Sequence, residues 1–317
     1  MRPSPYALRT EEPRVSANAD QVEFGAMRFI SSVIDDAARD EIFSGELDDE
    51  AELESSVEGD RHAWQQQDLA QEELVGSTLL EIKRRAEILG KHYPFEVIKN
   101  KLEYRSSSTG FYEFCLATAC APSITIKPYV VFPRIFERTV TGLVREYFGP
   151  HCSALHTGWP RTPKKRFKEA MSRLAENKYE WVWSPEHGLD DDPPYVVVKD
   201  EPVDFVITSR LMDQRPGNLY VLGQCACGDD WDSKLEEPDL PRIRKWFSPP
   251  WIIPPIRAFT TPFVLGDETL REASRRSQSI VFDRIRLTLI SEEILPHQIR
   301  KSMKRRMLHF ASTASKA

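Results

Sequence analysis

The stretch PRIFERTVTGLVREYFG (133–149) constrains the fold most, because the period of the apolar residues changes after it. Phe136, Val140, Leu143, Val144 and Tyr147 recur on one helical face, Pro133 suits a first turn and Gly149 an end, with Glu137 beside the apolar face. Downstream the blocks are β-rich: YVVV (195–198), a turn-like KDEP (199–202) and VDFVI (203–207) read as a hairpin. LYVLGQ (219–224) reads as a third strand after a loop holding Pro216 and Gly217. Three strands following a helix make this an α/β (α+β) chain.

The flanking regions are less regular. Helices are expected over Glu23–Phe43 and over Asp68–Leu89, the second closed by Gly90. FEVI (95–98) and FYEFCLAT (111–118) read as short β-like runs, so residues 1–125 form an appended, mostly helical N-terminal region. Residues 126–317 form the second domain. Within it a basic amphipathic helix is expected over Lys164–Glu176, with Phe167, Met171 and Leu174 inward. Short helices are expected near Trp231 and Pro241, and extended segments at WII (251–253) and AFTTPFV (258–264). DRIRLTLI (283–290) and Pro296–Phe310 give a C-terminal helical extension.

Charge is unevenly spread. The chain of 317 residues carries −6, but GELDDEAELESSVEGD (45–60) holds eight acids and no base, so removing its −8 leaves +2. That stretch reads as a linker, since it cannot bury apolar area. Two basic clusters stand out in the remainder: Lys164, Lys165, Arg166 and Lys168, then Arg300, Lys301, Lys304, Arg305 and Arg306. Such clusters neutralise phosphate or simply face solvent, and the first is the candidate nucleic-acid contact. No apolar run has the roughly 18 residues of a membrane helix, and the opening residues lack the apolar stretch of a signal peptide. Five cysteines without framework spacing suit a reducing compartment, so the expected location is the cytoplasm.

An acid at Asp204, inside a strand otherwise built for burial, needs a partner or a metal. If the strands adjoin, the Gln224 side-chain carbonyl and the Cys225 backbone carbonyl can share a cation with Asp204, an oxygen set that suits magnesium. The plainer alternatives are Asp204 capping the KDEP turn, Gln224 bonded to backbone and Glu137 in solvent. Asp229 and Asp230 read as caps of the helix carrying Trp231. Cys225-Ala226-Cys227 is a C-x-C pair, half of a tetrahedral zinc site, but Cys115, Cys120, His151, Cys152 and His156 offer no second pair at the expected spacing. Buried core thiols explain it better. No Gly-rich phosphate loop and no G-x-S-x-G elbow occurs.

Glu137 on a helix, Asp204 on the second strand and Gln224 on the third follow the order of the PD-(D/E)XK nuclease superfamily. EPVD (201–204) resembles its Pro-Asp half and QCA (224–226) stands where its Glu/Gln-x-Lys half belongs. The resemblance covers about residues 130–265 and implies a restriction-endonuclease-like αβββαβ core. It implies a magnesium- or manganese-dependent DNA endonuclease, such as serves bacterial restriction or anti-phage defence, with Asp204, Gln224 and Glu137 as metal ligands. Gln replaces the acid, and Ala226 occupies the lysine's place. In some branches that lysine sits on the next helix, which makes Lys234 the candidate. DNA is the implied partner, and a homodimer or a partner subunit is compatible with the family. The alternative is a catalytically inactive module of the same fold that binds nucleic acid or a partner protein.

Overall fold

The computed structural model describes residues 5–29, 31–33, 60–98, 101–158, 167–175, 179–191, 202–213 and 215–316. The acidic stretch before Asp60, the basic residues Lys164, Lys165 and Arg166, and the YVVV run lie outside them. The chain divides into two compact units: Met1–Ser123 with Phe263–Thr269 and His297–Ala317, and Ile124–Pro262 with Leu270–Pro296. The C-terminal helix thus groups with the first unit, not with the second.

In the first unit, α1 (Pro5–Phe29) packs on α2 (Asp60–Leu89) and on a small antiparallel sheet of β1 (Ser31–Val33), β2 (Phe95–Ile98) and β3 (Lys101–Tyr104), in the order β1-β3-β2. The expected helix over Glu23–Phe43 stops at Phe29, where the chain turns into β1. FYEFCLAT is not a strand. It forms α3 (Phe111–Ala119), whose residues Phe111 through Thr118 are all buried. An unbroken apolar run carries no period to separate strand from helix; burial on every side decides it.

The second unit opens with α4 (Phe132–Phe148), whose Phe136, Val140, Leu143 and Val144 are buried as the spacing predicts, joined by Phe132 and Ile135, whereas Tyr147 is 49% exposed. A five-stranded sheet follows, built from β4 (Cys152–His156), β5 (Phe205–Ser209), β6 (Leu219–Cys225), β7 (Ile256–Thr260) and β8 (Ser279–Phe282) in that spatial order. The first three strands are antiparallel neighbours, and β6-β7-β8 run parallel. The shorter helices are α5 (Phe167–Met171), α6 (Leu240–Arg244), α7 (Asp267–Ser277) and α8 (Arg284–Leu289). Beyond them, α9 (His297–Lys316) closes the chain in the first unit. WII is not extended into a strand, and β7 begins only at Ile256. β4 went unread because CSALH holds no β-branched residue.

The sheet has two distinct faces. Leu155, Val206, Tyr220 and Leu222 point into a cluster with Trp181, Ile243, Trp246 and Phe247. Tyr147 of α4 sets its ring 5.4 Å from that of Phe282, so α4 covers the other face. Among the described residues, no helix is long and apolar enough to cross a membrane.

Candidate functional site

The α4 face of the sheet gathers polar groups at the end where β4 leaves and β5 enters. Glu137 follows the buried Phe136, which keeps its side chain only 15% exposed, and its Oε2 lies 3.2 Å from Nε2 of His156. His156 pairs with Phe205 across β4 and β5, and its neighbour Leu155 belongs to the opposite face, so alternation turns the imidazole toward α4.

Asp204 reaches the same place through a bulge. Its N–H donates to the Gly223 carbonyl at 2.8 Å, although Gly223 is already the partner of Phe205, so two residues of one strand oppose one of the next. The irregularity aims the Asp204 carboxylate along the strand end, where Oδ2 accepts the Cys225 N–H at 2.7 Å. The Asp204 carbonyl accepts from Thr157 N at 2.7 Å and Gly158 N at 2.9 Å, tying the end of β4 to the site. Gly158 is the floor. A Cβ there would lie 2.7 Å from Glu137 Oε2, 3.1 Å from Asp204 Oδ1 and 3.3 Å from His156 Nε2. Three polar atoms from three elements therefore surround one point that any larger residue would fill.

On β6 the residue facing this group is Cys225, not Gln224. Cys225 pairs with Thr260 and Thr260 with Phe282, the residue under Tyr147 of α4. Gln224 pairs with Phe259, whose ring stands 6.1 Å from that of Trp231, on the opposite face. Gln224 is 7% exposed, and its Oε1 is buried without a hydrogen-bond partner among the described residues. Order along the chain brings Gln224 next to Asp204; the pleat turns its side chain away. Burial pushes the Cys225 thiol up, and the Asp204 and Glu137 carboxylates push it the same way, so it stays protonated.

Lys234 ends a 3-10 turn (Trp231–Lys234), with its Nζ 4.0 Å from Asp230 Oδ1 and its charge acting on Glu237. Lys168, the described member of the first basic cluster, pairs with Asp191 at 3.1 Å and lies over the Trp183 ring. The structure thus brings together Glu137 and Asp204 and adds His156 and Gly158. His156 entered the sequence reading only as an unmatched zinc candidate, and a legible β4 is the signal that would have found it.

Two carboxylates suit magnesium, which takes one or two carboxylates and keeps several waters. Among the described residues, no group of three or more His, Cys, Asp or Glu side chains is already spaced to enclose a metal ion. An ion here would rest on Glu137 and Asp204 and complete its shell with water. No protein-family model, curated protein or solved structure matches the chain.

Proposed function

We propose that the second unit is a restriction-endonuclease-like domain of the PD-(D/E)XK type, and that the protein is a metal-dependent DNA endonuclease. What carries this reading is the meeting of the Glu137 and Asp204 carboxylates over Gly158. The element order supports it: α4, three antiparallel strands, a crossover through α6 and a parallel β7 follow the αβββαβ order that the resemblance implies.

Glu137 and Asp204 would hold the ion, magnesium or manganese. When bound, it supplies charge neutralisation at the phosphate and a water of lowered pKa. The chain's own groups set the stage. The Cys225 N–H fixes one oxygen of Asp204, and the two N–H groups bonded to the Asp204 carbonyl hold the bulge in place. Gly158 lets both carboxylates come close to the backbone there, since a Cβ would crowd them.

The test is incubation of the purified protein with plasmid, linear duplex and single-stranded DNA, with magnesium, manganese or chelator. Cleavage that needs the metal and disappears in Asp204→Ala and Glu137→Ala is the expected result. Metal-dependent cleavage that survives both substitutions would rule the site out. Two observations favour a second reading, a nuclease fold that binds nucleic acid without cutting it: the β6 residue facing the carboxylates is a thiol, and Lys234 is paired with Asp230. That reading predicts salt-sensitive DNA binding and no cleavage with any ion.

A further inference from the structure

We propose that the outward face of α9, in the first unit, grips the phosphate backbone of duplex DNA. The inference rests on the DNA reading above and goes beyond it in naming the surface that holds the substrate. Between Arg300 and Arg306 α9 carries five cations, and over its whole length it has no acidic residue. Its apolar side is taken up. Met303, Met307, Ala311 and Ala314 are buried, the Phe310 ring lies 6.2 Å from that of Phe114 in α3, and a Cβ on Gly110 would meet Leu308 Cγ at 3.0 Å. The side left to solvent is cationic. Lys301, Arg305 and Arg306 are exposed, and none of the three side chains has a hydrogen-bond or ion-pair partner among the described residues. Lys304 leans toward the loop before α3 and donates to Ser106 Oγ at 3.0 Å.

Such a face works against the helix that carries it. Lys301 and Arg305 stand one turn apart, where like charges repel, and Arg300 sits in the first turn, where the helix dipole disfavours a cation. Elsewhere the chain sets an acid one turn from a helical arginine: Glu81 beside Arg84 on α2 at 2.7 Å, and Glu272 beside Arg275 on α7 at 2.9 Å. The sequence of α9 supplies no such acid. A polyanion brings it from outside. Each DNA strand presents a phosphate about every 3.4 Å of helix axis, against cations about 6 Å apart along α9 at i,i+4 spacing. A lipid surface fits less well, because a helix lying in lipid needs a free apolar face and that of α9 is packed on α3. Phosphate contacts carry no base sequence, so the grip is independent of sequence. The first basic cluster differs, since its described member Lys168 is paired with Asp191.

The experiment is fluorescence anisotropy of a short labelled DNA duplex titrated with the full chain in chelator, where nothing is cut, over a series of salt concentrations. The triple variant Lys301→Ala, Arg305→Ala, Arg306→Ala is expected to bind about tenfold more weakly or worse, and to flatten the slope of log affinity against log salt by about 2 to 3. Its melting temperature should hold or rise, since alanine suits a helix and the repulsion is gone. Arg215→Glu with Lys245→Glu, both exposed on the second unit, changes the net charge by more and should stay within about threefold of native. Equal affinity and slope in the native chain and the triple variant, or no duplex binding by the native chain, would overturn the inference. So would an equal loss in the Arg215 and Lys245 control, binding of an RNA duplex of the same length about tenfold tighter, or capture by phosphatidylserine vesicles that needs α9 while DNA affinity does not. The cleavage test reads separately. Cutting that needs Asp204 and Glu137, with DNA binding unaltered in the triple variant, overturns this inference and leaves the nuclease reading standing; binding that needs α9, with no cutting, upholds it while the nuclease reading fails.

Discussion

The ring of Phe205 lies across the Cα of Gly223, so close that a Cβ on Gly223 would meet Phe205 Cζ at 1.9 Å. The two residues are register partners beside the bulge that re-aims Asp204, so this contact sits under the candidate site. Gly223→Ala should therefore destabilise the protein by about 1–3 kcal/mol, the usual range for forcing extra volume into a packed core. Urea denaturation measures this. Phe205→Leu combined with Gly223→Ala should lose less than the sum of the two single changes, because the clash is removed in the double variant.

Gln224→Glu separates the two faces of β6. On the face of Phe259, a carboxylate at this buried position is taken out of water and the penalty should be about 2 kcal/mol or more at neutral pH. Acidification should relieve it, because protonation removes the buried charge. Metal affinity should stay at the native value. A tenfold rise in magnesium affinity measured by calorimetry would return Gln224 to the ligand set.

Tyr220 gives the second unit a limit in alkali. Its hydroxyl donates to Glu180 Oε2 at 3.1 Å, and burial first, then the Glu180 charge, push the phenol up to about 12. A phenol whose folded pKa exceeds its unfolded value of about 10 contributes stability that is fully present below about pH 10. That contribution is lost as pH rises through about 12. Melting temperature should fall across this window in the native protein and fall less steeply in Tyr220→Phe.

Arg85 holds the first unit together at the charge level. Fully buried, it donates through Nη1 to Asp20 Oδ1 at 2.6 Å and Glu23 Oε1 at 2.9 Å, through Nε to Glu81 Oε1 at 2.9 Å, and through Nη2 to Ser16. Arg85→Met removes the guanidinium that Asp20 and Glu23 share, while Glu81 keeps Arg84, and should cost about 3–5 kcal/mol. Arg85→Lys should recover only part of this, since one ammonium cannot reproduce the guanidinium fork. Chemical denaturation of the three proteins decides it.

Periodic segments were legible in the sequence. Four of the five stripe positions of α4 are buried, Tyr147 excepted, and LYVLGQ lies in β6 beside β5, which takes up Phe205–Ile207 of VDFVI. Glu137 and Asp204 were legible as candidates, the one by its place beside an apolar stripe and the other as an acid among β-branched residues. FYEFCLAT was misread because an unbroken apolar run has no period, and CSALH because it has neither branching nor alternation.

Composition and periodicity by themselves determined the class of the chain and the helix and two of the strands, β5 and β6, that flank the candidate site, since these follow from interactions between near neighbours. Only the tertiary structure decided which side chains meet. A bulge one residue long turns Asp204 toward Glu137, and the pleat presents Cys225 to them while sending Gln224 to the other face. It also brings in His156, from a strand whose sequence carries no signal. Such choices depend on register across strands distant in sequence, where a shift of one residue exchanges the faces, and no local pattern encodes that shift.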